Sequence, residues 1–216
     1  MEQDKRGTPT TAAYVFVGSG DHATLLELSD LYERGVIRYA VRFMSGAYGA
    51  LAIIEVDGEG YDAAREVRRR IQVVRDRVNP PPTDTAFAVK MGPTNPSHWK
   101  APVMGGSADA PVHEGAEPKG MKRPVGAFVR IDVEPGSAES VLEALSDLEG
   151  YWGSAIVAGS FDILLEVAAD SIQELRESLL HGLTGGEAIE GIVKMTSAIT
   201  LNPETEDEVE HALLSR

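Results

Sequence analysis

Gly159-Ser160-Phe161-Asp162 is the stretch whose residue types and order best suit a binding site. Glycine allows a tight turn or a positive φ. A carboxylate just past the turn, Asp162, can accept from free backbone N–H groups or from an ammonium. A hairpin turn locked by a side chain would use the same residues, and the sequence leaves both readings open. Gly18-Ser19-Gly20-Asp21-His22-Ala23 fits G-x-G-x-x-A, in which backbone N–H groups approach a pyrophosphate at a helix N-terminus. The next strand ends at Arg42-Phe43-Met44 without an acid and turns back through Gly46. Asp21 would place a carboxylate where phosphate must sit, so no dinucleotide site is expected. His22, His98, His113, His181 and His211 show no metal-ligand spacing, and cysteine is absent, so no metal site is expected. His181 falls near a helix C-terminus, where the dipole favours an imidazolium. There is no G-x-S-x-G elbow and no readable pair of catalytic carboxylates. The sequence therefore offers no catalytic residue and calls for no cofactor.

Arginine is concentrated between Tyr61 and Val78, at Arg65, Arg68, Arg69, Arg70, Arg75 and Arg77. A basic amphipathic helix can meet phosphates, lipid or an acidic partner. The net charge of −14 is unevenly spread: residues 1–91 hold 12 Lys and Arg against 13 Asp and Glu, and residues 92–216 hold 8 against 21. So acidic a surface repels a nucleic acid backbone, and no direct nucleic acid binding is expected. The arginines are read as a solvated face, or as partners of the acidic half or of a neighbouring subunit.

The 216 residues are enough for one large domain or two small ones, and 43% apolar content suits a buried core. Without cysteine there are no disulfides. The opening residues MEQDKRGTPT lack an apolar signal core, and apolar runs such as Ala50–Ile54 are too short to span a bilayer. The expectation is a soluble cytoplasmic protein with no membrane association.

The best site candidate lies within Val125–Leu201. Val125, Ala127, Val129, Ile131 and Val133 alternate as in a half-buried strand, and Pro135-Gly136 ends it. Ser137 is placed to cap a helix through Leu148, with Val141, Leu142, Leu145 and Leu148 on one face. Strands follow at Ser154–Ala158 and Phe161–Ala168, then a helix over Gln173–Leu183 stopped by Gly182 and Gly185-Gly186, then a strand over Ile192–Leu201. This βαββαβ order is ferredoxin-like. Ala12–Met91 gives the same order: strands at Ala12–Val17, Ile37–Phe43, Tyr48–Val56 and Thr85–Met91, with helices at His22–Arg34 and Tyr61–Val78. AYVFVGSGDHATLLELSDL lies over AFVRIDVEPGSAESVLEALSDL, and Gly46-Ala47-Tyr48 over Gly159-Ser160-Phe161, with Gly49 in the place of Asp162. The fold class is α+β: two tandem ferredoxin-like βαββαβ domains whose antiparallel sheets pair face to face. The boundaries are a disordered arm at 1–11, a first domain at 12–91, a linker at 92–124 with 6 Pro and 5 Gly, a second domain at 125–202, and a short C-terminal helix at 203–216 opened by Thr205-x-x-Glu208. His98-Trp99 in the linker is either incidental or a lid over a pocket.

The ordered set in the second domain resembles the effector-binding domain of the Lrp/AsnC regulators. It comprises VGAFVRIDVEPG, the Gly159-Ser160-Phe161-Asp162 turn, the apolar strand, Asp170 before the second helix, and Gly191-Ile192 to Thr196 in the closing strand. The resemblance implies that two such domains pair sheet against sheet and bind small effectors, often amino acids, near the turn. Under it Gly159, Ser160, Phe161 and Asp162 are the site, with Thr196 and Ser197 as neighbours. Nothing before Val125 reads as the helix-turn-helix those regulators carry. The implied protein is a small-molecule sensor, acting on itself as a homo-oligomer or on a regulatory protein partner. Two other classes stay open. One is an αβ-barrel enzyme, an oxygenase or decarboxylase, using groups such as Tyr39, Arg42 and Tyr48. The other is a structural assembly subunit.

Overall fold

A computed structural model describes residues 10–82, 84–94, 125–184 and 189–201. The expected arm up to Pro9, most of the linker with Trp99, and the C-terminal helix lie outside the described residues. The elements are β1 (Thr10–Val17), α1 (His22–Glu33), β2 (Tyr39–Arg42), β3 (Ala50–Asp57), α2 (Tyr61–Arg77), β4 (Asp84–Thr94), β5 (Val125–Val133), α3 (Ala138–Leu145), β6 (Tyr151–Ala158), β7 (Ile163–Ala169), α4 (Ile172–Thr184) and β8 (Ile192–Leu201).

All eight strands form one antiparallel sheet in the order β2-β3-β1-β4-β6-β7-β5-β8. The two separate sheets expected from the sequence are thus one. β4 runs on through Gly92 to Thr94 and pairs with β6, from Phe87 opposite Ala158 to Thr94 opposite Gly153. At the far ends the sheet curls back on itself, where Met44 N donates to Ile199 O at 2.8 Å.

Each half arranges its strands in the same register. Phe16 sits opposite Leu51 and Asp84, as Arg130 sits opposite Leu164 and Thr196. Ala13 sits opposite Ile54 and Phe87, as Ala127 sits opposite Val167 and Ile199.

Strand alternation sends side chains to two cores. On β1, Ala13, Val15 and Val17 pack under α1 and α2 with Leu28, Leu31, Val67 and Val74. On β5, Ala127, Val129 and Ile131 pack under α3 and α4 with Val141, Leu145 and Leu175. The opposite faces of both halves meet inside the curl, where Tyr14, Phe16, Phe43 and Leu51 pack with Phe128, Val157, Phe161 and Leu164. Phe43 lies edge-on to Phe128 at 5.9 Å, and Phe16 to Phe161 at 5.7 Å. Strands buried on both faces explain why β1 and β3 read as continuous apolar runs.

Some helix ends differ from the sequence reading. Asp21 caps α1, accepting from Thr24 N at 2.8 Å, and that hydrogen bond holds its carboxyl below the usual range. Ser137 does not cap α3; its hydroxyl turns back to donate to Glu134 O at 2.6 Å. α3 ends at Leu145, because Ser146, Asp147 and Leu148 tighten onto the carbonyls of Glu143, Ala144 and Leu145. α4 continues through Gly182 to Thr184. Among the described residues no helix is long and apolar enough to cross a membrane.

Candidate functional site

The turn joining β6 to β7 is bound down at every residue. Val157 N donates to Asp162 O at 2.8 Å, and Asp162 N donates to Ile131 O at 3.0 Å. The Asp162 carboxylate accepts from Val133 N at 2.9 Å, so it locks the turn to the end of β5. Of the two roles left open by the sequence, the backbone N–H role is the one this geometry displays. Gly159 presses on β4: a Cβ there would come within 3.0 Å of the Ala86 side chain. Phe161 is buried in the inner core. Ser160 is exposed, and its hydroxyl donates to Asp84 Oδ2 at 2.6 Å while accepting from Arg130 Nη2 at 2.8 Å. Thr196 faces Arg130 across the β5–β8 ladder, which puts it on the inner face at the rim. Ser197 faces Val129, an outer-core residue, so it lies on the other face of the sheet. Of the six expected site residues, the four of the turn and Thr196 share one end of the inner face, and Ser197 does not.

The centre of that end is Arg130, which the sequence reading passed over. Its Nη2 lies 3.1 Å from Asp84 Oδ2, and its Nη1 donates to the Tyr48 hydroxyl at 2.8 Å. Tyr48 in turn donates to Asp84 Oδ2 at 3.0 Å, so that oxygen accepts from Tyr48 and Ser160 while pairing with the Arg130 cation. The guanidinium carbon is 4.5 Å from the Phe161 ring centre, 5.3 Å from Tyr48 and 5.4 Å from Phe16. Rings at these distances attract a cation, more so when water is excluded. The Arg130 and Asp84 side chains are 20% and 15% exposed, so the pair is largely desolvated, and such a pair needs its extra hydrogen bonds to offset that cost. Arg130 Nε is buried without a partner. Burial, then the bond to Asp84, pushes the Tyr48 hydroxyl pKa up, against the pull of Arg130. One signal was available: where the two halves align, Arg130 stands in line with Phe16, an inner-face aromatic.

The other motifs resolve into packing. The Gly18–Ala23 stretch leads from β1 to α1 beside antiparallel neighbours, without the parallel strand a dinucleotide site needs. A Cβ on Gly49 would fall 2.0 Å from Gly20 N, so the two backbones touch and neither has room for a side chain. On α2, Arg69 and Arg70 hold Glu66, pulling its carboxyl down to about 2, and Arg77 reaches Glu27 and Asp30 on α1. These ion pairs stay within the first half. Tyr39 and Tyr48 face the inner core, whereas Arg42 alternates with Val41 and Phe43 and falls on the outer face. A cavity of about 10 Å³, the volume of one water, lies among Tyr14, Met91, Phe128, Ser154 and Glu166. It is far too small for an organic substrate. Burial pushes the Tyr14 and Tyr39 hydroxyl pKa values up. Among the described residues no group of acids or histidines has metal-binding geometry.

Comparison with known proteins gives one family match. The family model described as the Lrp/AsnC ligand binding domain covers residues 126–209. Among solved structures, E. coli AsnC is 23% identical over 44% of this chain and 61% of its own, with a TM-score of 0.34. The transcriptional regulator NMB0573 of Neisseria meningitidis, solved with L-Met, is 16% identical over 42% of this chain and 60% of its own, at 0.33. A putative monooxygenase from Lactobacillus acidophilus is 6% identical over 89% and 92% of the two chains, at 0.49. These structural likenesses are too slight to argue from. No curated protein matches the chain. Residues 126–209, which carry the turn and Arg130, thus match the Lrp/AsnC ligand binding domain.

Proposed function

We propose that this protein is a small-molecule sensor with a regulatory role. It holds two ferredoxin-like domains in one chain, the first reaching from Thr10 to Thr94 and the second beginning at Val125, joined by the residues between them. The pairing that other domains of this kind make between two chains is here made within one. It acts by ligand-shifted association with itself or with a regulatory protein. The family match over residues 126–209 carries this reading.

The site is the rim where Ser160 and Thr196 are exposed beside Arg130 and Asp84. An amino acid suits it: Arg130 is placed to take a carboxylate, and Asp84 an ammonium. The Gly159–Asp162 turn positions Ser160 for the same ligand, and Asp162 holds the turn. Ligand binding would loosen the Arg130–Asp84 pair and so shift the equilibrium between the halves, which requires different affinities for the two states.

Thermal unfolding against the twenty amino acids and common metabolites tests the reading. A ligand present at about a hundred times its dissociation constant adds about 2.7 kcal/mol. The shift should vanish in Thr196→Val, a rim change expected to leave the midpoint without ligand within about 0.5 kcal/mol. If no compound shifts the midpoint, amino-acid sensing is wrong.

A further inference from the structure

We infer that the interior cluster of Arg130, Asp84, Tyr48 and Ser160 makes the two halves recognise each other and reject a copy of themselves. The inference rests on the paired-domain reading above and adds a partner rule to it.

The argument is one of position. The registers of the two halves superpose Phe16 on Arg130 and Asp84 on Thr196. Phe16 and Arg130 also touch across the interior, with the guanidinium 5.4 Å from the ring centre. Two equivalent positions in contact lie beside the axis relating the halves. Whatever occupies one position therefore faces its counterpart in any alternative pairing.

If two second halves paired, two Arg130 guanidiniums would stand about where Arg130 and Phe16 now stand. Neither Asp84 nor Tyr48 would be present, because both come from the first half. Only Ser160 and Thr196, the counterpart of Asp84, would remain as polar partners, and neither carries a charge. If two first halves paired, two Asp84 carboxylates would lie largely buried with no arginine. Only the unlike pair brings Arg130 and Ser160 to Asp84 and Tyr48, with Phe16 as the neutral face beside the cation. Burying an unmatched charge is costly and so rejects a wrong partner. The cluster is therefore a specificity device, and the partner it fits is a first-half face with Asp84 and Tyr48 in place.

The test uses the full chain with a protease site placed in the linker. The folded protein is cut. Preparations with tagged and untagged second halves are mixed, unfolded in urea, refolded together and weighed by native mass spectrometry. Unlike pairs should exceed pairs of second halves by about tenfold or more. Arg130→Phe with Asp84→Thr gives each half the other's residue at these positions and should bring pairs of second halves up to a comparable amount. Mixing cut wild type with cut Asp84→Arg, Arg130→Asp protein gives a second readout, in which each half should choose the partner of matching charge. Pairs of second halves as abundant as unlike pairs in wild type, or charge-swapped halves that mix at random, would overturn the inference alone. Halves that part after the cut and never reassociate would overturn the paired-domain reading as well.

Discussion

Single side chains here act mainly by what they hold. Asp162 spends its carboxylate on Val133 N, a part-buried hydrogen bond at 2.9 Å. Asp162→Ala orphans that N–H and should cost about 1–2 kcal/mol, while Asp162→Asn keeps an acceptor and should cost less. Urea unfolding measures both, and equal losses would contradict the lock. If Asp162 serves only to position the turn, the midpoint shift of any effector should survive in Asp162→Ala; a lost shift would mean that the carboxylate also meets the ligand. Glu55 offers a pH test. Burial raises its pKa over the opposing pull of Arg38. An acid whose pKa is higher folded than unfolded favours the fold below its unfolded pKa, and that contribution is lost as pH rises through the folded value. Glu55→Gln should therefore raise the thermal midpoint at pH 7 and leave it unchanged at pH 4. A lower midpoint at pH 7 would show that the ion pair with Arg38 outweighs burial.

Among elements, the hairpin turns show where the two halves had to diverge. Gly49 N donates to Val17 O at 2.9 Å, as Asp162 N donates to Ile131 O at 3.0 Å, so the turns are anchored alike. At Gly49, however, the space for a side chain is filled by Gly20 backbone. Gly49→Asp, which copies the second half's motif, should cost about 3 kcal/mol or more or prevent folding. Gly18→Ala, on the same connection with nothing within 4 Å, should stay within about 0.5 kcal/mol. A tolerated Gly49→Asp would mean that the Gly20 contact yields. The element order was legible from alternation and helical spacing, because each element's core residues are local in sequence. The single sheet was not. Gly92-Pro93 reads as a strand breaker, yet β4 passes through it, and a Cβ on Gly92 would push aside Ser154 Oγ of β6, 2.4 Å away. The turn at Gly159–Asp162 was legible as a site candidate from its residue types. Arg130 was not, because an arginine in an alternating strand reads as facing solvent. Its burial depends on Asp84, Tyr48 and Phe16, which are remote in sequence.

At the scale of the whole molecule, the inner core decides how many cooperative units there are. Each half has its own outer core under its helices, which alone would permit two independent transitions. The inner core belongs to both, and the β4–β6 ladder makes the sheet continuous. Unfolding one half would expose the other's Phe128, Phe161 and Leu164 or Tyr14, Phe16 and Leu51, all buried. Fully exposing side chains of this size costs about 1.5–3 kcal/mol each, so three on either face amount to about 5–9 kcal/mol, comparable to the total stability of an ordinary domain. The half left behind would also keep Arg130 or Asp84 without its counter-charge. The protein should therefore unfold in one transition, with the fluorescence of Trp152 in a Trp99→Phe background, which reports the second half, coinciding with the helical circular dichroism of the whole chain. Leu31→Ala in α1 and Leu145→Ala in α3, both fully buried, should each lower that one midpoint by the equivalent of about 2–5 kcal/mol. A Leu31→Ala chain that loses half its helical signal before Trp152 responds would show that the shared core does not couple the halves.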